Sequence, residues 1–476
     1  MQLWSGTDGT AYPATVSVRL EASLRAARAV GALSRASGRG GGTTLPGRVL
    51  DGLAPRGVEQ LADGLPLGSA AISATNGKTT TCAMVAAILD PPIRLCRNAA
   101  GANLLSGIAA ALVDGAGGGT PAELGLFECD EAALPRIVRR VRPHTLALGN
   151  LFRDQLDRYG ELEAVAERWR TMLAELAPET TVIACADDPL TADITSGHLR
   201  CVSYGIDDRE LASAPVGHAA DSRFCVRCGT PYEYSAVWFG HLGDYRCPAC
   251  GHARPQLAIA ATRIVQRGLE AVSFELCTPV GTRTVELAVP GLYNVENALA
   301  ASGVALALGA SLDDIAAGLA RFRPAFGRFQ RIALADREAV MLLIKNPAGA
   351  NEALATLARG AGGDLHTLVA LNDRIADGTD VSWIWDVDWE LIAPSLARVV
   401  TSGSRAPDIA LRLKYAGIDA SRITIEPDLT RALDATLAGT GAGGCAYLLP
   451  TYTAMLELQG VISDRGLARR YWERSA

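Results

Sequence analysis

Two groups of residues in this 476-residue sequence have the types and spacing to do chemistry. The first is the run Ser73-Ala74-Thr75-Asn76-Gly77-Lys78-Thr79-Thr80. Backbone N–H groups in such a turn, together with the start of the following helix, form a cradle for phosphate. Lys78 would reach the β- and γ-phosphates of a nucleotide, and the Thr79 hydroxyl would ligate Mg²⁺. The pattern is an incomplete phosphate-loop signature, because Ile72 stands where the first Gly belongs. Its context supports it: a small apolar strand precedes the loop and a helix over Thr79–Leu89 follows. The second group is Cys225-x-x-Cys228 and Cys247-x-x-Cys250, eighteen residues apart, each pair followed by Gly (Gly229 and Gly251). Two such knuckles fit one tetrahedral Zn²⁺, and with all four positions filled by thiolate no place remains for a catalytic water. The metal would fold a small ribbon. A redox role for either pair is the alternative, and the pairing of the two argues against it. The other seven cysteines, Cys82, Cys129 and Cys277 among them, have apolar or small neighbours and read as packing residues.

Elements must hold these groups in place. From about residue 68 to 310, short β-prone runs (Ala70–Ser73, Leu124–Glu128, Thr145–Leu148, Thr181–Ala184) alternate with helical stretches, which predicts a parallel, doubly wound sheet. Residues 222–256 interrupt it. Ala271–Leu276 and Thr284–Val289 read as a hairpin, and 297–309 as an Ala-rich helix. A second α/β unit follows, with strands at Ala339–Ile344, Thr367–Ala370, Arg398–Thr401, Ile423–Ile425 and Cys445–Leu449. Residues 1–17 read as a loose tail and Gly38–Gly42 as a flexible break. The helix 18–36 carries Arg19, Arg25, Arg28 and Arg35; it reads as a packed helix with a solvated basic side rather than one lying on a membrane. Trp383 and Trp385 alternate as on one strand face and read as core before interface.

Composition narrows the class. Hydrophobic residues are 49% and aromatics 5%, which favours helices packed closely on sheets. A formal charge of −6 gives no reason to expect nucleic acid. No run of about 18 apolar residues predicts a membrane span. The start has no signal-peptide pattern, so the thiols are expected to be reduced and the chain cytoplasmic.

The loop Thr75–Thr80 resembles that of the Mur ligases and folylpolyglutamate synthases. Asn98-Ala99-Ala100-Gly101-Ala102-Asn103, Glu128 at a strand end, Asn150-Leu151-Phe152-Arg153-Asp154-Gln155-Leu156-Asp157-Arg158-Tyr159, Gly291-Leu292-Tyr293-Asn294-Val295-Glu296-Asn297 and Arg328 continue the likeness. The resemblance implies ATP held by Thr75, Asn76, Gly77, Lys78, Thr79, Thr80, Asn294, Asn297 and Arg328. It implies Mg²⁺ on Thr79 and Glu128, and a substrate region at Asn150, Asp154 and Gln155. ATP and a substrate carboxylate are both anionic, so cations must hold them together while phosphoryl transfer makes an acyl phosphate.

The departures narrow it further. Ala74 replaces a usual Gly, Gln155 stands where a His is usual, Glu161–Leu176 contains no Lys to be carbamylated, and the four cysteines have no counterpart in ordinary Mur ligases. In these features, and in Lys345–Glu352 and Leu371–Asp386, the chain is similar to the MurT group, the ligase subunits of lipid II isoglutaminyl synthases. That likeness implies ATP-dependent amidation of the D-glutamate α-carboxylate of lipid II at the inner membrane face. Ammonia would come from a GatD-like glutaminase bound to the C-terminal domain. It also implies that one aspartate of this chain completes the partner's Cys-His pair. Asp377 is the first choice, then Asp380, then Asp373, and the sequence itself does not choose. The expected architecture is α/β: helix and connector over 18–60, a Mur ligase-type ATPase domain over 61–325 carrying the four-cysteine zinc ribbon, and a C-terminal α/β domain over 326–476. Two other readings stay open, a stand-alone amino-acid ligase and a nucleotide-binding scaffold without chemistry.

Overall fold

The computed structural model describes residues 17–36, 43–90, 93–98, 101–117, 120–154, 162–212, 221–324, 328–334, 336–361 and 363–466. The expected tail up to residue 16, the Gly38–Gly42 break and Gln155 lie outside the described residues.

Strands β1 (Ser69–Ser73), β2 (Leu95–Arg97), β3 (Leu124–Glu128), β4 (Thr145–Leu148), β5 (Thr181–Cys185) and β6 (Cys201–Ile206) run parallel in the order β2-β3-β1-β4-β5-β6. β1, β3 and β4 are buried at every residue, as expected for strands covered by helices on both faces. A small hairpin, β7 (Glu233–Phe239) and β8 (Leu242–Arg246), leaves this sheet as the ribbon. The chain returns as β9 (Ile259–Arg267), parallel to β6, and antiparallel β10 (Ala271–Thr278) and β11 (Gly281–Leu287) complete nine strands. The expected hairpin is therefore one edge of the central sheet, with β9 as a third partner. β1 lies between β3 and β4, so the loop after it opens where the crossovers reverse, at the carboxyl edge.

One face of the sheet is covered by the first helices. Leu20, Leu24, Leu50 and Val58 share an apolar cluster with Phe127 and Leu146. The basic helix Val18–Ala36 is thus packed, and two of its cations are tied inward: Arg19 Nε donates to Leu53 O (2.8 Å) and Arg28 Nε to Val113 O (3.3 Å). The described residues of 18–60 thus share the core of the central domain. The helices Lys78–Leu89, Leu292–Ala307 and Leu312–Arg321 cover the other face through Met84, Leu299 and Ile315. The Ala-rich helix begins at Leu292, five residues before its expected start, because Gly291 turns the chain at φ 93°. Asn294 and Asn297 therefore sit one turn apart on one side of it.

The second domain has six strands: β12 (Arg328–Leu334), β13 (Arg337–Leu342), β14 (Leu365–Ala370), β15 (Leu396–Ser402), β16 (Ile423–Ile425) and β17 (Cys445–Pro450). Their order is β12-β13-β17-β14-β15-β16, parallel except for the β12–β13 pair. One expectation fails here. Trp383 and Trp385 lie on a 3₁₀ helix, Ser382–Asp386, not on a strand. Asp380 Oδ1 accepts the Ser382 N–H (2.8 Å) and starts the turn, and the buried residues Ile384 and Val387 follow a spacing of three. Trp385 is consequently 48% exposed against Tyr415, while Trp389 is the tryptophan in the core.

Candidate active site

The loop after β1 is shaped by a neighbour from β4. Thr75 N–H donates to Asn150 O (2.8 Å) and Asn76 N–H to Asn150 Oδ1 (3.0 Å), while Asn150 Nδ2 donates to Asn76 O (3.3 Å). Phe152 N–H donates to Thr75 Oγ1 (3.1 Å). Asn150 thus spends its amide on the loop backbone, as a clamp. Gly77 has φ 92°, and a Cβ there would lie 1.9 Å from Asn297 Oδ1. Only glycine fits both the backbone and the close approach. Thr81 Oγ1 also donates to Asn297 Oδ1 (3.3 Å), and Asn294 Nδ2 donates to Pro290 O (2.6 Å). Asn297 thus ties the Leu292–Ala307 helix to the helix that follows the phosphate loop, and Asn294 holds Asn297 from one turn away (Asn297 Nδ2 to Asn294 Oδ1, 3.4 Å).

Lys78 opens the helix after the loop and is buried. Its Nζ donates to Ala74 O (2.8 Å) and pairs with Glu131 (3.0 Å). Burial alone would lower its pKa, but Glu131, Glu128 and Asp154 outweigh it and hold the group above its usual value, so it stays an ammonium. Sequence reasoning missed Glu131 as a site residue; it lies three positions beyond Glu128, and its distance to Lys78 is set by the turn after β3. Glu128 ends β3 and is buried. Asn98 fixes that strand end, accepting Glu128 N–H (3.0 Å) and donating to Glu128 O (2.9 Å). Thr79 and Thr80 follow Lys78 in the first helical turn.

The second domain closes over this loop. Lys345 Nζ lies 2.6 Å from Asp154 Oδ2 and 3.3 Å from Thr75 O. Asn346 Nδ2 donates to Asn76 Oδ1 (3.1 Å), and Asn346 Oδ1 caps the helix Pro347–Gly360 through Gly349 N–H (2.8 Å). A cleft of about 980 Å³, open to solvent, lies between the domains. Thr75, Asn76, Gly77 and Lys345 line one part of it, and Phe239, Tyr293, Phe322 and Phe329 give it aromatic surface. The shape suits a nucleotide, with phosphates at the loop and the base among rings. Lys345 was legible only as part of a motif; its pairing spans 191 residues to Asp154. Arg328 opens β12, and its side chain lies outside what is described.

The three aspartates separate clearly. Asp377 is buried and accepts both Thr453 N–H (2.8 Å) and Thr453 Oγ1–H (2.5 Å), so it caps the helix Tyr452–Asp464. Asp373 is held by Ser404 and Arg405, which keep its carboxyl below the usual range. Asp380 is exposed, with one oxygen on Ser382 N–H.

The four cysteines come together as expected. Their Sγ atoms all lie within 4.8 Å of one another, with Cys225–Cys250 at 3.5 Å and Cys228–Cys247 at 3.4 Å. Four thiolates about 2.3 Å from a shared zinc would stand about 3.8 Å apart, so the donor set fits the metal. Gly229 N–H donates to Cys225 O (2.8 Å) and Gly251 N–H to Cys247 O (3.0 Å), each glycine at positive φ, which makes two matching knuckles. The ribbon is docked on the core. His241 at its hairpin tip packs 4.4 Å from the Phe152 ring, and Arg254 pairs with buried Asp187 (2.5 Å). Burial and the adjacent Asp187 push Glu296, on the Leu292–Ala307 helix, well above its usual pKa.

Residues 72–234 match the Mur ligase middle domain family and residues 343–455 the MurT ligase C-terminal family. The chain is 32% identical over 434 residues to the lipid II isoglutaminyl synthase (glutamine-hydrolyzing) subunit MurT of Streptococcus pneumoniae, covering 90% of this chain and 94% of the relative. It is 30% identical over 427 residues to the Staphylococcus aureus protein of the same name, covering 89% and 93%. Its fold is similar to that of a pseudomurein peptide ligase type C from Methanothermus fervidus, with TM-score 0.64, 21% identity, and 83% and 78% coverage. It is also similar to MurF ligase from Thermotoga maritima in complex with ADP, with TM-score 0.62, 14% identity, and 88% and 85% coverage.

Proposed function

Since the chain belongs to the MurT family, we propose that it is the ATP-dependent ligase subunit of a lipid II isoglutaminyl synthase, acting in peptidoglycan synthesis. The observation that carries this is the meeting of Lys78 and Lys345, one from each domain, at one carbonyl of the loop, Thr75 O, 3.3 Å from each Nζ. Two fixed cations at one phosphate cradle suit a reaction that brings ATP and a carboxylate together.

ATP would lie with its phosphates on the loop N–H groups and Lys78, and its base between Tyr293 and the facing aromatics. The D-glutamate α-carboxylate of the lipid II stem peptide would enter beside Asp154 and Lys345, with Asn150 keeping the loop in shape. A carboxylate oxygen attacks the γ-phosphorus, the bond to ADP breaks, and an acyl phosphate forms. Ammonia then adds to the acyl carbon, phosphate leaves, and the nitrogen loses a proton, giving D-isoglutamine. Thr79 and Glu128 are the residues that would hold Mg²⁺, which supplies charge neutralisation on the phosphates. Cys225, Cys228, Cys247 and Cys250 would hold a structural Zn²⁺.

The ammonia would come from a GatD-like glutaminase on the C-terminal domain. Asp380, the most exposed of the three, is the aspartate we assign to the partner's triad, since Asp377 is buried on Thr453 and Asp373 is tied to Arg405. This puts Asp380 ahead of Asp377, the first choice from the sequence. Among the described residues no helix is long and apolar enough to cross a membrane, and the substrate's lipid would bring the enzyme to the inner face.

Co-purification with a glutaminase, followed by lipid II amidation with and without ATP and glutamine, tests the reading. Amidation should need both ligands and vanish in Lys78→Ala. Amidation that survives Lys78→Ala would favour the scaffold reading. Amino-acid addition without a partner would favour a stand-alone ligase.

A further inference from the structure

Among the described residues lining the cleft, one carries a buried side-chain oxygen with no hydrogen-bond partner. Glu352, one turn and a half into the helix Pro347–Gly360, is the single carboxylate among the described residues lining the cleft. Its Oε2 is shielded from solvent and has no hydrogen-bond partner among the described residues. Arg359 is the cation acting on it, and that effect is weaker than its burial. A carboxyl in such a place is costly unless something arrives to bond it.

The charge layout says what can arrive. Lys345 and the loop mark the phosphate end of the cleft. A carboxylate would repel phosphates, so Glu352 must face a part of the ligand that donates protons. Asn346, at the head of the same helix, touches Asn76 of the loop. Glu352 follows six residues later, about 9 Å along the axis at 1.5 Å per residue. That displacement carries it away from the phosphates and toward the nucleoside. The surrounding lining there is apolar: Leu342, Leu343, Ala348 and Ala353 offer no competing acceptor from their side chains.

We propose that Glu352 is a nucleotide-specificity residue, accepting a hydrogen bond from a donor of the nucleoside, either the ribose hydroxyls or the exocyclic amine of the base. The inference rests on the reading that ATP occupies this cleft. It adds that the second domain selects the nucleoside as well as closing on the phosphates. A ligand lacking the donor would leave the acid buried and unpaired, which is how such sites reject near-identical molecules.

Calorimetric binding to the full chain tests it. The ligands are ATP, its 2′-deoxy and 3′-deoxy forms, and purine riboside triphosphate, which lacks the amine. In the unaltered chain, one class of analogue should bind about tenfold or more weakly than ATP, the range for a hydrogen bond to a charged group. In Glu352→Ala that same analogue and ATP should bind within about twofold of each other, because the partner is gone. A deficit for the deoxy forms assigns the ribose, and one for the deaminated form assigns the base. Glu352→Gln keeps the size and one acceptor oxygen, and should recover part of the ATP affinity lost in Glu352→Ala. Equal penalties for every analogue in the unaltered chain and in Glu352→Ala overturn the proposal, as does Glu352→Gln binding ATP no better than Glu352→Ala. If the unaltered chain binds no nucleotide, the ATP reading falls first and this inference with it.

Discussion

A zinc ion held by the Cys225–Cys250 ribbon would support nucleotide binding, because the ribbon forms part of the cleft wall, and removing the ion should weaken that binding. Phe239 ends β7 and lines the cleft, and His241, fully buried at the hairpin tip, packs on Phe152, which lines it too. An aromatic side chain buries roughly 200 Å². If about a third of Phe239 meets the bound base, about 65 Å² at ~25 cal/mol/Å² contributes about 1.5 kcal/mol, or roughly tenfold in affinity. Binding linkage is reciprocal, so a nucleotide that binds tenfold tighter to the metal-loaded chain must tighten metal binding by the same factor. The assay is zinc release to a chromogenic chelator, with and without a saturating non-hydrolysable ATP analogue. The nucleotide should shift the competition curve about tenfold. Phe239→Ala retains all four thiols and should retain the metal, yet lose most of that shift. Superimposed curves with and without nucleotide, on protein shown to contain zinc, would refute the coupling.

Three further outcomes follow from the site. Lys78→Ala should abolish amidation and also lower stability by about 3–5 kcal/mol in denaturant unfolding, since it leaves Glu131 buried without its cation; adding Glu131→Gln should restore stability without activity. Asp377→Ala should lose the cap of the last described helix and about 1–2 kcal/mol of stability. Asp380→Asn should melt like the unaltered chain, lose glutamine-driven amidation, and keep amidation driven by added ammonium. The fourth concerns pH. Burial raises Glu352 from 4.5 to about 7, with Arg359 opposing. The folded apo chain therefore binds this proton more tightly than the unfolded chain, and the site loses stability as pH rises from about 4.5 through 7. At 1.36 kcal/mol per pH unit the loss reaches at most about 3 kcal/mol. Glu352→Gln should thus match the unaltered chain in melting temperature at pH 4 and exceed it at pH 8; a gap that does not change with pH would contradict this.

Local signals in the chain reached as far as local chemistry reaches. The β1 run, the loop and the helix after it lie within twenty residues, and their order alone places a phosphate cradle at a strand end. The cysteine knuckles were equally readable, because Cys-x-x-Cys-Gly sets its own turn. The contacts of Lys345, Glu131 and Glu352 were not, since nothing near Lys345 in sequence indicates that it meets Asp154 across a domain interface. The bonds of Asp377 were hidden for a related reason: the turn after β14 does not show in sequence that its acid meets Thr453, 76 residues later. The Trp383–Trp385 alternation misled because two large residues hid the period of three at Ile384 and Val387, which the Asp380 turn imposes.

The place of the ribbon in the chain bears on how the protein is made. β6 and β9 are hydrogen-bonded neighbours, yet roughly 50 residues separate Ile206 from Ile259. Until β9 arrives, a growing chain presents six parallel strands with β6 as an open edge, the kind of edge that invites pairing with other chains. A compact ribbon stapled by a metal on its four cysteines would divide one long closure into short ones, each with a smaller entropic penalty. A chain synthesised without zinc would keep that edge open longer, so metal scarcity would appear as misassembly at the ribosome before it appeared as lost catalysis.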